Sequence, residues 1–125
     1  MSRVKIEMEF IFRASPGMLH QFITLPENLV RWFADGVDIS DDVYTFSWDG
    51  SEESAILIDD IEEERLRFKW EDSDEGEYFE FRMYISDITR QTILEITDFC
   101  DDDEVKEQQD LWAKQIEGLH NACGG

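Results

Sequence analysis

A chain of 125 residues suits one domain with a single core, and 11 Lys and Arg against 31 Asp and Glu give a net charge of -20. Such a surface repels phosphate backbones and anionic lipid headgroups, which argues against nucleic-acid and membrane-surface partners. A hydrophobic content of 42% with 13% aromatic residues excludes a disordered chain in spite of that charge.

No apolar run reaches the length of a membrane span, and Met1, Ser2 and Arg3 lead into alternating residues instead of a signal-peptide block, so a cytoplasmic location is expected. Cys100 and Cys123 are too few to form a disulfide framework and are expected as reduced, partly buried thiols.

Val4, Ile6, Met8, Phe10 and Phe12 alternate with charged residues, the period-two pattern of a strand with one buried face, broken only by Ile11. Ser15 followed by Pro16 is a helix cap with proline at the first helical position, and Leu19, Phe22 and Ile23 give a short helix its apolar face up to about Leu25. Pro26 restarts the chain, and Leu29, Val30 and Phe33 predict a second short helix, with Trp32 at the edge of its face and Gly36 ending it. From there the period is two. Six strands are expected at Val37–Ile39, Val43–Trp48, Ser54–Ile61, Arg65–Glu71, Glu77–Ile85 and Thr92–Cys100, joined by short polar turns as in an antiparallel meander.

Tyr44, Phe46, Trp48, Leu66, Phe68, Trp70, Phe79, Phe81, Met83, Ile85, Leu94 and Ile96 take the inward parity, and Thr45, Ser47, Arg65, Arg67, Lys69, Glu80, Arg82 and Glu95 a wet outer face. The pattern is weakest where Ala55, Ile56, Leu57 and Ile58 run together.

The last stretch, Asp101–Cys123, is an amphipathic helix. Val105, Trp112, Ile116, Leu119 and Cys123 fall on one stripe, edged by Gln108, Gln109 and Gln115. Asp101, Asp102 and Asp103 can each cap its first turn, and Asp101 with Glu104 has the capping-box spacing. A sheet with one apolar face must be covered, and this is the one long helix. The expected fold is α+β: a curved antiparallel sheet of six to seven strands around a long C-terminal helix, with two short helices after the first strand.

This order resembles the helix-grip fold of the START-like (SRPBCC) superfamily, which includes the birch-pollen-allergen proteins. It resembles more narrowly the branch related to the activator domain of the ninety-kilodalton heat-shock chaperone's ATPase. The residues that carry the resemblance are Ala14-Ser15-Pro16, Leu29–Phe33, Leu94-Glu95-Ile96-Thr97-Asp98, and Trp112 with Leu119, so that it spans nearly the whole chain as a single domain. In that branch the position of Asp98 often holds His or another polar residue. The resemblance implies a cavity between sheet and helix that holds an apolar small molecule; a minority of such proteins are enzymes, and some bind proteins.

Two readings fit the inward aromatics Trp32, Phe33, Phe46, Trp48, Trp70, Phe81 and Trp112: the lining of a pocket for a lipophilic guest, or a core that fills its own space. An empty hole of about 300 Å³ would cost roughly 7 kcal/mol, comparable to a whole domain's stability, so such a space must be small, wet or occupied. Asp98 shares the parity of Leu94 and Ile96, which points a carboxylate inward toward Gln108, Gln109 or Gln115; an exposed strand-end acid is the alternative. Ile116 completes the candidate lining on the helix.

His20 is placed on the exposed side of its helix and His120 beside the apolar stripe, neither with metal-ligand spacing, and the acidic runs lack a calcium loop's pattern. No metal or cofactor is expected. The leading expectation is a non-enzymatic domain that binds an apolar or amphipathic small molecule. The alternatives are an acidic module docking a basic protein surface, and an enzyme using Asp98 as general acid or base.

Overall fold

A computed structural model describes residues 2–125; Met1, one of the residues on which the expected cytoplasmic location rests, lies outside the described residues. Strand β1 (Arg3–Phe12) is followed by helices α1 (Pro16–Thr24) and α2 (Pro26–Leu29). Strands β2 (Gly36–Ser40), β3 (Val43–Trp48), β4 (Ser51–Ile61), β5 (Arg65–Trp70), β6 (Phe79–Ile85) and β7 (Thr92–Asp101) come next, and helix α3 (Val105–Cys123) closes the chain. All seven strands form one antiparallel sheet in the order β1-β7-β6-β5-β4-β3-β2: a meander whose last strand is joined by the first. The fold is the α+β arrangement expected from the sequence.

The inner face is apolar because the inward parity of each strand is apolar, and α3 covers it with Trp112, Ile116 and Leu119, all buried. Phe46, Phe68, Phe79 and Phe81 are at most 1% exposed and make the floor of the core. Ser15 caps α1 as expected, its Oγ accepting the Met18 N–H at 3.1 Å. The tight Asp49-Gly50 turn between β3 and β4 has positive φ at both residues, the conformation a two-residue hairpin of this twist requires.

Several expectations are corrected. Pro26 opens α2 instead of merely restarting the chain, and that helix ends at Leu29; Val30 to Phe33 form a tight turn in which the Phe33 and Ala34 N–H groups both point to the Leu29 carbonyl. Ile85 is 52% exposed although its parity is inward, because β5 begins opposite Arg82 and leaves the end of β6 without a neighbour on that side. Glu80 is buried on the face expected to be wet, held by Arg67 at 2.7 Å and lying 3.9 Å from Arg65, whose long stems screen it from water. Asp101 belongs to β7, opposite Arg3, and its carboxylate takes the Arg3 guanidinium; the N-cap position of α3 falls to Glu104, which makes no side-chain cap hydrogen bond.

The irregular run Ala55–Ile58 is explained by a register shift against β5 between Leu57 and Asp59. Ala55 remains buried, while Ile56 and Ile58 face outward. His20 is half-buried instead of exposed, its Nε2 2.8 Å from Asp60 on β4. His120 stacks on Phe12 at 4.0 Å with its Nε2 2.8 Å from the Ile11 carbonyl, which ties the end of α3 to β1. Cys100 and Cys123 are free thiols, buried and half-buried. Burial pushes both thiols above the usual cysteine range.

Candidate functional site

The antiparallel order brings ends of six strands together beside the N-terminal half of α3. The starts of β1, β4 and β6, the ends of β3, β5 and β7, and the N-terminal half of α3 surround a cleft of about 460 Å³. Its apolar wall is Phe33, Trp48, Trp70, Leu111 and Trp112, and its polar wall includes Asp98, Gln108 and Gln115. Deeper in, the space among Ile23, Leu29, Phe33, Phe46, Phe68, Phe79 and Phe81 leaves no room for a water molecule. The aromatics thus divide between the two readings of the sequence: the rings near the sheet's middle fill the interior, and those at its end line an open cleft.

The four tryptophans make the division concrete. Trp48 donates its Nε1–H to the Phe33 carbonyl at 2.7 Å, which pins the β3 end to the turn after α2, and its ring lies 5.6 Å from Phe33 and 6.3 Å from Trp70. Trp70 in turn stacks on Phe79 at 4.9 Å. Trp112 packs on Phe33, Phe79 and Phe81. Trp32 is tied inward to the Phe22 carbonyl at 2.9 Å and belongs to the core. Phe46, Phe81 and Ile116, each 1% exposed, also belong to the core and do not line the cleft.

Asp98 is buried, not an exposed strand-end acid. Its Oδ2 accepts the Trp112 Nε1–H and a Gln108 Nε2–H, both at 2.8 Å, and its Oδ1 accepts the Phe99 N–H at 2.8 Å. Strand parity aims the carboxylate inward, and the spacing of Gln108 and Trp112, one helical turn apart on α3, places two donors over it. Gln115, one turn further, reaches the Phe33 carbonyl at 3.5 Å. A buried carboxylate needs such partners, since desolvation without them costs several kcal/mol. Gln109, the third glutamine considered for this role, is exposed.

Arg3, Glu53, Asp72, Ser73, Glu77, Tyr78, Phe99 and Leu111 also line the cleft, though the sequence reading did not place them there. Leu111 had a readable signal, because residues 108, 111, 112 and 115 follow the spacing of one helical face. The others come from strand ends and turns far apart in the chain, which only the sheet brings together. Arg3 binds Glu77 through Nε and Nη2 at 3.0 and 2.7 Å and Asp101 through Nη1 at 3.1 Å, and the guanidinium holds the Glu77 carboxyl below the usual range. At the start of α3, Asp101, Asp103 and Glu104 bring carboxylate oxygens within 4.8 Å of one another. That crowding, led by the charge of Asp101, raises the Glu104 carboxyl. No helix among the described residues is long and apolar enough to cross a membrane.

No curated protein matches the sequence. A protein from Bacteroides fragilis solved by NMR in solution is 31% identical, with a TM-score of 0.70 over 98% of this chain and 93% of that one. The Aha1 dimer from Colwellia psychrerythraea is 18% identical with a TM-score of 0.82, covering 96% of each chain. A Mesorhizobium loti protein is 14% identical with a TM-score of 0.78, covering 95% of this chain and 96% of that one. The last two likenesses are of fold. The model of the START-like superfamily domain matches residues 1–125, and the chain belongs to that superfamily.

Proposed function

We propose that the cleft between the sheet end and α3 binds an apolar or amphipathic small molecule, with no chemistry done on it. The observation that carries this reading is a space of about 460 Å³ walled by Phe33, Trp48, Trp70, Leu111 and Trp112 beside a few fixed polar groups. Small-molecule sites have this size and make-up: mostly apolar, with polar atoms that orient the guest. Membership of a superfamily whose fold serves ligand binding or interaction supports it further. The three donors held by Asp98 favour a positioning role over proton transfer, since they already occupy both carboxylate oxygens.

The test is native mass spectrometry of freshly purified protein together with titration of a neutral apolar dye such as Nile red. One-to-one, saturable binding is expected, weakened by Leu111→Asn at the cleft wall and untouched by Ile88→Asn, which is 92% exposed and lies elsewhere. Absence of bound mass and of saturable binding, or equal effects of the two substitutions, overturns the reading. The net charge of -20 supports a second reading, docking onto a basic protein surface. It predicts association that weakens steeply with salt, and salt-insensitive association refutes it.

A further inference from the structure

Resting on the reading of the cleft as a ligand site, we infer that its guest is cationic: an organic ammonium joined to an apolar or aromatic body. The cleft wall carries four carboxylates, Glu53, Asp72, Glu77 and Asp98, against one cation, Arg3. That cation is already matched by two carboxylates, three of its N–H groups bonding Glu77 and Asp101 at 2.7 to 3.1 Å, so it offers an anionic guest little uncompensated charge. The same pairing cancels much of the charge of Glu77. Asp98 is different: its three donors are an indole, an amide and a backbone N–H, all neutral, so its charge is hydrogen-bonded but not cancelled. Among the described residues neither Glu53 nor Asp72 has an ion-pair partner. Lys69, the nearest other cation along β5, is turned into the loop after that strand, donating to Ser73 Oγ, the Asp74 carbonyl and the Glu77 carbonyl.

Uncancelled carboxylates therefore face the open cleft, Glu53 and Asp72 exposed at its rim and Asp98 buried in its wall, and a cleft lined by one sign of charge favours a guest of the other. The aromatic wall acts in the same direction. Ring faces attract ammonium groups, and Trp48 and Trp70, with centroids 6.3 Å apart and planes inclined at 57°, sit with Phe33 and Trp112 around the same space. An anionic amphiphile such as a fatty acid would meet carboxylates with no free cation to answer it; a neutral one would gain the apolar wall alone.

The experiment uses the full chain and three probes of matched shape: a naphthylethyl amine, the corresponding alcohol and the corresponding carboxylate. Affinities are read by calorimetry and tryptophan fluorescence at about physiological ionic strength, where long-range attraction to the acidic surface is screened. The amine is expected to bind about tenfold more tightly than the alcohol, and the carboxylate more weakly than either. Glu53→Gln with Asp72→Asn should reduce the amine's advantage to about threefold while leaving the alcohol unchanged, and the same loss of charge at the remote pair Glu7→Gln with Glu117→Gln should leave it intact. Equal binding of amine and alcohol, preference for the carboxylate, or equal effects of the remote and cleft pairs overturns the charge assignment while the cleft remains a binding site. Failure of all three probes to bind saturably overturns the site and the charge assignment together.

Discussion

Replacing Asp98 probes the joint between β7 and α3. Truncation to Ala strands three donors at once: the Trp112 Nε1–H on a side chain that is 4% exposed, the Gln108 amide and the Phe99 N–H. Hydrogen bonds to a charged acceptor contribute about 1.5 to 3 kcal/mol each, and the partly exposed Gln108 and Phe99 can recover water, so the loss is dominated by Trp112 and comes to about 3 kcal/mol. At about 2.1 cal/mol/K per residue, 125 residues give an unfolding entropy of roughly 260 cal/mol/K, and Tm should fall by about 11 °C. Asp98→Asn keeps one oxygen but turns an N–H₂ toward donors, and should cost about half as much.

The assay is urea and thermal unfolding followed by near-ultraviolet circular dichroism, run on Asp98→Ala, on Trp112→Phe and on the double variant. Trp112→Phe removes the donor and keeps most of the ring, so the double-mutant cycle isolates the hydrogen bond, with a coupling of at least about 1 kcal/mol expected. A coupling below about 0.5 kcal/mol, together with Asp98→Asn as stable as the parent, would show that the carboxylate does not anchor the helix to the sheet.

Two further predictions concern other parts of the fold. Gly118 lies inside α3, and a Cβ built there would meet Trp32 no closer than 3.7 Å, so Gly118→Ala should raise stability by about 0.8 kcal/mol by urea unfolding; a loss would mean that Trp32 cannot accept the methyl group. Glu95 lies directly opposite Glu9 across β1 and β7, and burial, followed by the hydrogen bond and charge of Glu9, raises its carboxyl above the usual range. A carboxyl raised in the folded state penalises folding while ionised, and the penalty lifts as pH falls through the folded value and is gone below the unfolded value of about 4.3. Glu95→Gln should therefore stabilise by about 0.5 kcal/mol at pH 7 and give no benefit near pH 3.5, by Tm against pH; a benefit constant with pH would refute the repulsion.

Several features follow from local pattern along the chain. Period-two alternation set β1 and β3 to β7 and which residues of β3 and β7 face inward; the stripe of Trp112, Ile116 and Leu119 set the face α3 buries; Ser15-Pro16 set the start of α1. These readings hold because each rests on the geometry of one element. The parity of Asp98 with Leu94 and Ile96 offered an inward carboxylate beside an exposed alternative, with Gln108, Gln109 and Gln115 as candidate partners, of which the structure selects Gln108.

The assembled sheet sets where the aromatics of one parity part company, Phe46 and Phe81 filling the interior and Trp48 and Trp70 lining an open cleft. It also decided that Arg3 would take Asp101 from the helix cap and Glu77 from solvent, and that Ile85 would be left at an uncovered edge. Each depends on how strand ends from distant parts of the chain align across the sheet, a quantity set by register and strand length and carried by no single stretch of residues.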